Sequence, residues 1–164
     1  MADGNGPLTT RAAGVSTLAA GLWLIGVGIW ARRDVRHGLE RERIKSTSDA
    51  TPGGAPVADA AAARSMAEVI RDNTLASTGG KTYGETAAYV DAEGHPTDDR
   101  ESAAKDLLTG APRENPEHAL WIQSTALQTA LMEAYLAQRL AELTVGLGAV
   151  FVGVGAGLAA AARR

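Results

Sequence analysis

The chain has 164 residues, a formal net charge of −3 and no cysteine. Disulfides, thiolate catalysis, iron–sulfur clusters and cysteine-ligated zinc are therefore excluded. The basic residues are neither in excess nor interleaved with aromatics, so nucleic acid is not an expected partner.

A mean hydropathy close to zero conceals two apolar stretches at the ends of the chain. Residues 12–31 and 143–162 each run without a charge, the length of about 20 residues that crosses the hydrocarbon core of a bilayer. The first is longer than the apolar core of a signal peptide. It is followed by ARRDVRHGLERER rather than a small-residue cleavage site, so it reads as an uncleaved anchor.

In chain order, residues 1–8 carry Gly4, Gly6 and Pro7 with almost nothing to bury and read as a disordered tail. A first helix is expected from Thr9 or Thr10, crossing the membrane over residues 12–31 and continuing as a charged stalk to residue 46. Residues 48–56, SDATPGGAP, are a breaker. Within the polar loop of residues 47–115, an Ala-rich helix is predicted over 57–74, with Met66, Val69 and Ile70 on one face and Gly79 and Gly80 ending it. A turn-rich stretch around Gly94, His95 and Pro96 follows, then a short helix over 99–108 stopped by Gly110.

Asn115 is a suitable N-cap, and Pro116 stands at the first helical position, where a missing N–H costs least. From there residues 116–164 read as one long helix holding the second span, 143–162. Its outer half carries Leu120, Leu127 and Leu131 on one side and Ile122, Met132, Leu136, Leu140 and Leu143 nearly opposite. A helix apolar on two sides wants two partners. No internal repeat or heptad array is apparent. The fold class is all-α: a two-span transmembrane helical hairpin whose long helices extend out of the membrane, with a small helical loop domain.

Small residues recur every fourth position in both spans, at Ala13, Thr17 and Gly21 and at Ala149, Gly153, Gly157 and Ala161. Such faces let helix backbones approach closely, which predicts packing of the spans on each other or on another protein. Neither span contains an ionisable residue, which argues against a pump or transporter acting alone. Trp30 beside Arg32 and Arg33, and Arg163 with Arg164, read as interfacial anchors.

The segment STGGKT, residues 77–82, resembles a phosphate loop, but Leu75 stands where the pattern needs glycine and a helix rather than a strand precedes it. A helix-terminating turn is the better reading. His37, His95 and His118 lie alone in separate segments with no paired spacing, so neither a metal nor a cofactor is expected.

The segments RERIKSTSDA, AEVIRDNTLASTGGKTYGE and WIQSTALQTALMEAYLAQRLAELTVGLGAVFVGVGAGL, in that order, resemble a family of small actinobacterial two-span membrane proteins. The likeness covers most of the chain, and its specific part is Thr78, Gly79, Gly80, Lys81, Thr82, Tyr83, Gly84 and Glu85. This chain departs from the family by an insertion around residues 91–116. Family members are often labelled aromatic ring-opening dioxygenases, yet such an enzyme needs clustered metal ligands that three scattered histidines do not supply. The resemblance implies a two-span protein of the cell membrane, with its loop outside the cytoplasm and its termini inside.

The functional expectation is a non-enzymatic accessory or structural subunit of a membrane complex, or a homo-oligomer, with the lipid bilayer and another membrane protein or itself as partners. A ligand-binding, sensor or enzyme module with a site around Lys81 and Tyr83, and an oligomeric pore, are the alternatives.

Overall fold

The computed structural model describes residues 6–43, 45, 54 and 56–163. The described chain is mostly helical, as the all-α expectation has it. Three helices, α1 (Gly6–Glu42), α2 (Ala60–Ser77) and α3 (Pro116–Ala161), account for most of it, beside one two-stranded sheet. It forms two compact units. One contains the described residues of Met1–Ile44, Ala58–Ala60 and Ala134–Arg164; the other contains those of Lys45–Val57 and Ala61–Glu133.

In the first unit, α1 starts at Gly6, ahead of the expected Thr9, because the fixed φ of Pro7 suits a first helical turn. It stops at Glu42, short of the expected residue 46, where Arg43 turns left-handed at φ 50°. The rest of the predicted tail, residues 1–5, and most of the 48–56 breaker lie outside the described residues.

The C-terminal part of α3 runs antiparallel to α1 at backbone contact. A methyl built on Gly14 would meet Ala159 N at 2.7 Å, one on Gly21 would meet Gly148 O at 2.6 Å, and one on Gly28 would meet Ala141 O at 2.8 Å. From the other side, methyls on Gly148 and Gly155 would meet Gly21 O and Leu18 N. Each step of seven residues along α1 is answered by a step of seven along α3. Seven residues are almost two whole turns, so this period keeps one face toward a near-parallel neighbour, as in a coiled coil. A heptad seam is thus present, contrary to the sequence expectation.

This register aligns the two charge-free windows. Gly28 faces residues 141 and 145, so Arg32 falls roughly level with Arg139, and Arg11 roughly level with Ala160. The windows are each about 30 Å long and are offset by only about three residues, or ~4.5 Å. α1 and α3 are both long and apolar enough to cross a membrane, and only 17% and 11% of their most apolar windows is buried. The core helix of a water-soluble protein buries such a window; these two leave most of it outward.

In the second unit, α2 spans Ala60–Ser77, shifted by about one turn from the predicted 57–74. Ala60, Ala62, Ala63 and Ala67 form its buried side. It ends as the glycines predict. Gly79 and Gly80 take positive φ, and their N–H groups bond back to Ala76 O and Leu75 O, the paired bonds that satisfy a helix's last carbonyls.

Residues 83–115 are the main departure from a helical loop. After a short 3-10 turn, Tyr83–Glu85, strands β1 (Tyr89–Val90) and β2 (Pro96–Thr97) pair antiparallel, with Tyr89 opposite Thr97. The predicted helix over 99–108 is absent. Asp99 accepts from the N–H of Glu101, and Asp106 accepts from the N–H groups of Leu108 and Thr109. Such local side-chain bonds offer the backbone an alternative to helix. Isolated bridges pair Asp91 with Ala103, Tyr89 with Glu114 and Lys105 with Pro112.

α3 begins as predicted. Asn115 Oδ1 accepts from Glu117 N at 3.1 Å, while its Nδ2 donates to Ala87 O at 2.8 Å, so one buried side chain caps the helix and ties it to the extended segment. At 1.5 Å per residue, its 46 residues extend roughly 70 Å.

Candidate functional site

Two features have the density of specific contacts expected of a functional element: the Thr78–Glu85 segment and the glycine seam. In the first, Thr78 is fully buried, and its hydroxyl lies 2.7 Å from Lys81 O. The same carbonyl accepts from Trp121 Nε1 at 3.0 Å. Trp121 is buried one turn into α3, so the segment that ends α2 is pinned to α3 through one main-chain oxygen.

Lys81 Nζ donates to Glu117 Oε2 at 3.0 Å, a second tie to α3. Thr82 then opens a reciprocal turn. Its N–H and hydroxyl both donate to Glu85 Oε2, at 2.8 and 2.7 Å, while Glu85 N donates to Thr82 O. These bonds to its charged form hold the Glu85 carboxyl below the usual carboxylate range.

Tyr83 lies against His118, ring centroids 4.7 Å apart and tilted by 32°. His118 Nδ1 lies 3.0 Å from Thr86 O, which fixes Nδ1 as the protonated nitrogen and directs the ring. Gly84 supplies the middle of the 3-10 turn. The polar groups that suggested a phosphate loop are therefore engaged within the chain: the Thr82 amide by a carboxylate, Lys81 by Glu117. Chemically, this arrangement is a clamp. Its Thr78–Glu85 half is the stretch that the family resemblance singles out; of its other half, Asn115 was read only as an N-cap, and Glu117, His118 and Trp121 were not read as partners, because they look like the ordinary start of a helix.

The residues predicted to pack every fourth position divide differently. Gly21 lies in the seam. Thr17 is half-buried, its hydroxyl bonded to Ala13 O one turn back, and Ala13 is exposed. Ala149, Gly153, Gly157 and Ala161 are exposed, and methyls built on Gly153 or Gly157 would meet nothing within 4 Å. The α3 stripe therefore does not pack on α1. An every-fourth seam belongs to right-handed crossings, whereas this antiparallel pair uses the seven-residue period of Gly148 and Gly155.

The titratable residues do not converge. Among the described residues no group of three or more His, Asp or Glu side chains is placed to hold a metal ion, and His37, His95 and His118 stay in separate segments, with Glu40, Asp91 and Thr86 as their respective neighbours.

The chain is thus a helical hairpin with a glycine seam and a polar-clamped module. No family model matches it, and neither a curated protein nor a solved structure matches it significantly.

Proposed function

We propose that this chain is a two-span protein of the cell membrane that acts by assembly rather than by catalysis, as an accessory subunit of a membrane complex or as a homo-oligomer. The observation that carries the reading is the outward side of α3. Leu136, Leu140, Leu143, Leu147, Val150 and Val154 succeed one another at alternating steps of four and three, each about half exposed or more, on the side away from Gly148 and Gly155.

Lipid covers the part of this stripe that lies within the charge-free window. It does not cover Leu136 and Leu140, which stand beyond Glu142 among Glu133, Arg139 and Glu142. Leucines at heptad spacing outside the hydrocarbon call for a protein partner. The close packing of α1 on α3 favours a retained first span over a cleaved leader. The placement of the loop outside the cytoplasm and of both termini inside rests on the family resemblance.

A ligand or enzyme site around Lys81 and Tyr83 has less support, because both side chains are committed to α3. The test is native-tag purification from membranes in mild detergent, with quantitative mass spectrometry. A partner at fixed ratio, or a self-assembly of defined mass, is expected. A lone monomer from the same membranes overturns the reading.

A further inference from the structure

The two ends of the hairpin differ in charge. Where α1 leaves its charge-free window, the arginines stand among acids: Asp34, Glu40 and Glu42 follow on α1, and Arg36 and Arg139 are paired to Glu40 and Glu142. At the opposite end stand Arg11 and Arg163, both exposed, and among the described residues neither has a carboxylate partner. Along α1 and α3 the nearest carboxylates are those of Asp34 and Glu142, roughly 35 and 30 Å away at 1.5 Å per residue. Asp3, outside the described residues, is the one acid that the sequence sets against Arg11, Arg163 and Arg164 at this end.

The seam brings the two arginines together. Arg11 precedes Gly14 by three residues, which places it about 60° round α1 from the side that faces α3, at ~100° per residue. α3 ends at Ala161, but Ala162 N and Arg163 N still donate to Leu158 O and Ala160 O. The chain therefore keeps a helical path to Arg163, eight residues and about 80° on from Gly155. Because the helices run antiparallel, both turns lead to the same flank of the seam. Depth agrees as well, since Arg11 is roughly level with Ala160 and Arg163 stands about 4.5 Å further along. The helix ends that meet here carry dipoles of opposite sign, which leaves the side chains to set the field. Val15 and Leu22 continue the flank of α1 that Arg11 begins, each more than half exposed.

We propose, resting on the two-span reading, that Arg11 and Arg163 together hold the phosphate of an anionic phospholipid at this end of the hairpin. Guanidinium forks match phosphate oxygens two at a time, and unopposed basic residues at a membrane surface attract anionic headgroups. The apolar track at Val15 and Leu22 selects a lipid, because an acyl chain lies along it whereas a free anion makes no use of it. A zwitterionic headgroup is disfavoured, since it brings its own ammonium against two guanidinium groups.

The full-length chain in mild detergent is offered an equal mixture of phosphatidylglycerol and phosphatidylcholine with matched acyl chains, and retained lipids are counted by native mass spectrometry. Phosphatidylglycerol is expected to be retained several-fold over phosphatidylcholine. Arg11→Gln with Arg163→Gln should bring that ratio close to one at unchanged helical content. Arg32→Gln with Arg33→Gln removes the same charge from the other end and should leave most of the preference. No preference in the unaltered chain, or an equal loss in the two double variants, overturns the proposal. Displacement of the retained lipid by millimolar inorganic phosphate also overturns it, because the ligand is then a free anion. Alkaline carbonate washing of membranes separates the two readings. A chain that resists extraction yet shows no lipid preference overturns this inference alone, whereas a chain that is released overturns the two-span reading with it.

Discussion

The hairpin and the clamped module hold together by opposite means. Along the glycine seam the contacts join backbone to backbone, and the side chains that matter are the absent ones at Gly14, Gly21, Gly28, Gly148 and Gly155. The module is held by directed bonds from Thr78, Lys81, Asn115 and Trp121 to named partners. The difference is the one expected if the hairpin lies in lipid and the module in water. Between apolar helices in lipid there is little hydrophobic gain, so close approach and dispersion drive association. In water, a module with thin apolar content gains uniqueness from satisfied polar groups.

The comparison breaks most visibly at Trp121. Trp121→Ala removes both buried volume and the bond to Lys81 O, and is expected to destabilise the module by about 3–5 kcal/mol. Crosslinking between cysteines placed in α1 and α3 near the seam should be unchanged. Parallel melting and crosslinking check both halves of the statement, and a loss of α1–α3 proximity would show that the two regions are not separately stabilised.

Gly148→Ala or Gly155→Ala should do the reverse, loosening the seam by about 1–3 kcal/mol through overpacking against backbone. Gly153→Ala, with open space around it, should be neutral or should stabilise the helix by up to about 1 kcal/mol. Unfolding in graded detergent mixtures, followed by circular dichroism, ranks the three; equal effects at 148 and 153 would remove the seam as an explanation.

A smaller effect is expected at Gly79, where alanine must hold a left-handed φ of 63°, costing about 1–2 kcal/mol. Gly79→Asn should recover part of the loss, because asparagine tolerates that region. The proportion recovered can be read from the melting temperatures of the two variants.

The finest test is of pH. Glu85 is held below the usual carboxylate range by bonds from Thr82, so its contribution to stability is complete above that range and is lost as pH falls through the depressed value. Glu85→Gln should flatten the acid limb of the melting curve while leaving the hairpin's response unchanged. An identical acid limb in the two proteins would place the relevant titration elsewhere.

The sequence made some of this legible and not the rest, for physical reasons. Length and the absence of charge suffice to mark a helix long and apolar enough to cross a membrane, and local chemistry suffices to mark the Asn115–Pro116 helix start and the Gly79–Gly80 stop. The region 99–108 was misread because its helical propensity is outweighed by aspartates that bond their own backbone. The α1–α3 seam, apart from Gly21, was not found for a different reason. In stretches this rich in glycine and alanine many spacings coexist, and only the antiparallel register, set by residues far apart in sequence, selects the seven-residue one. The partners of Lys81, Glu117 and Trp121, lie more than 35 residues on, beyond the reach of any local pattern.

The seam also has a consequence for how the chain is made. Gly14 faces Gly155 and Ala159, so its partners are synthesised on the order of 140 residues later. At roughly 5–20 residues per second, α1 exists for on the order of ten seconds before its partner surface on α3 is made. During that interval its glycine face is unfilled and open to whatever surface is nearest. A chain stopped before residue 143 would keep that unfilled side permanently.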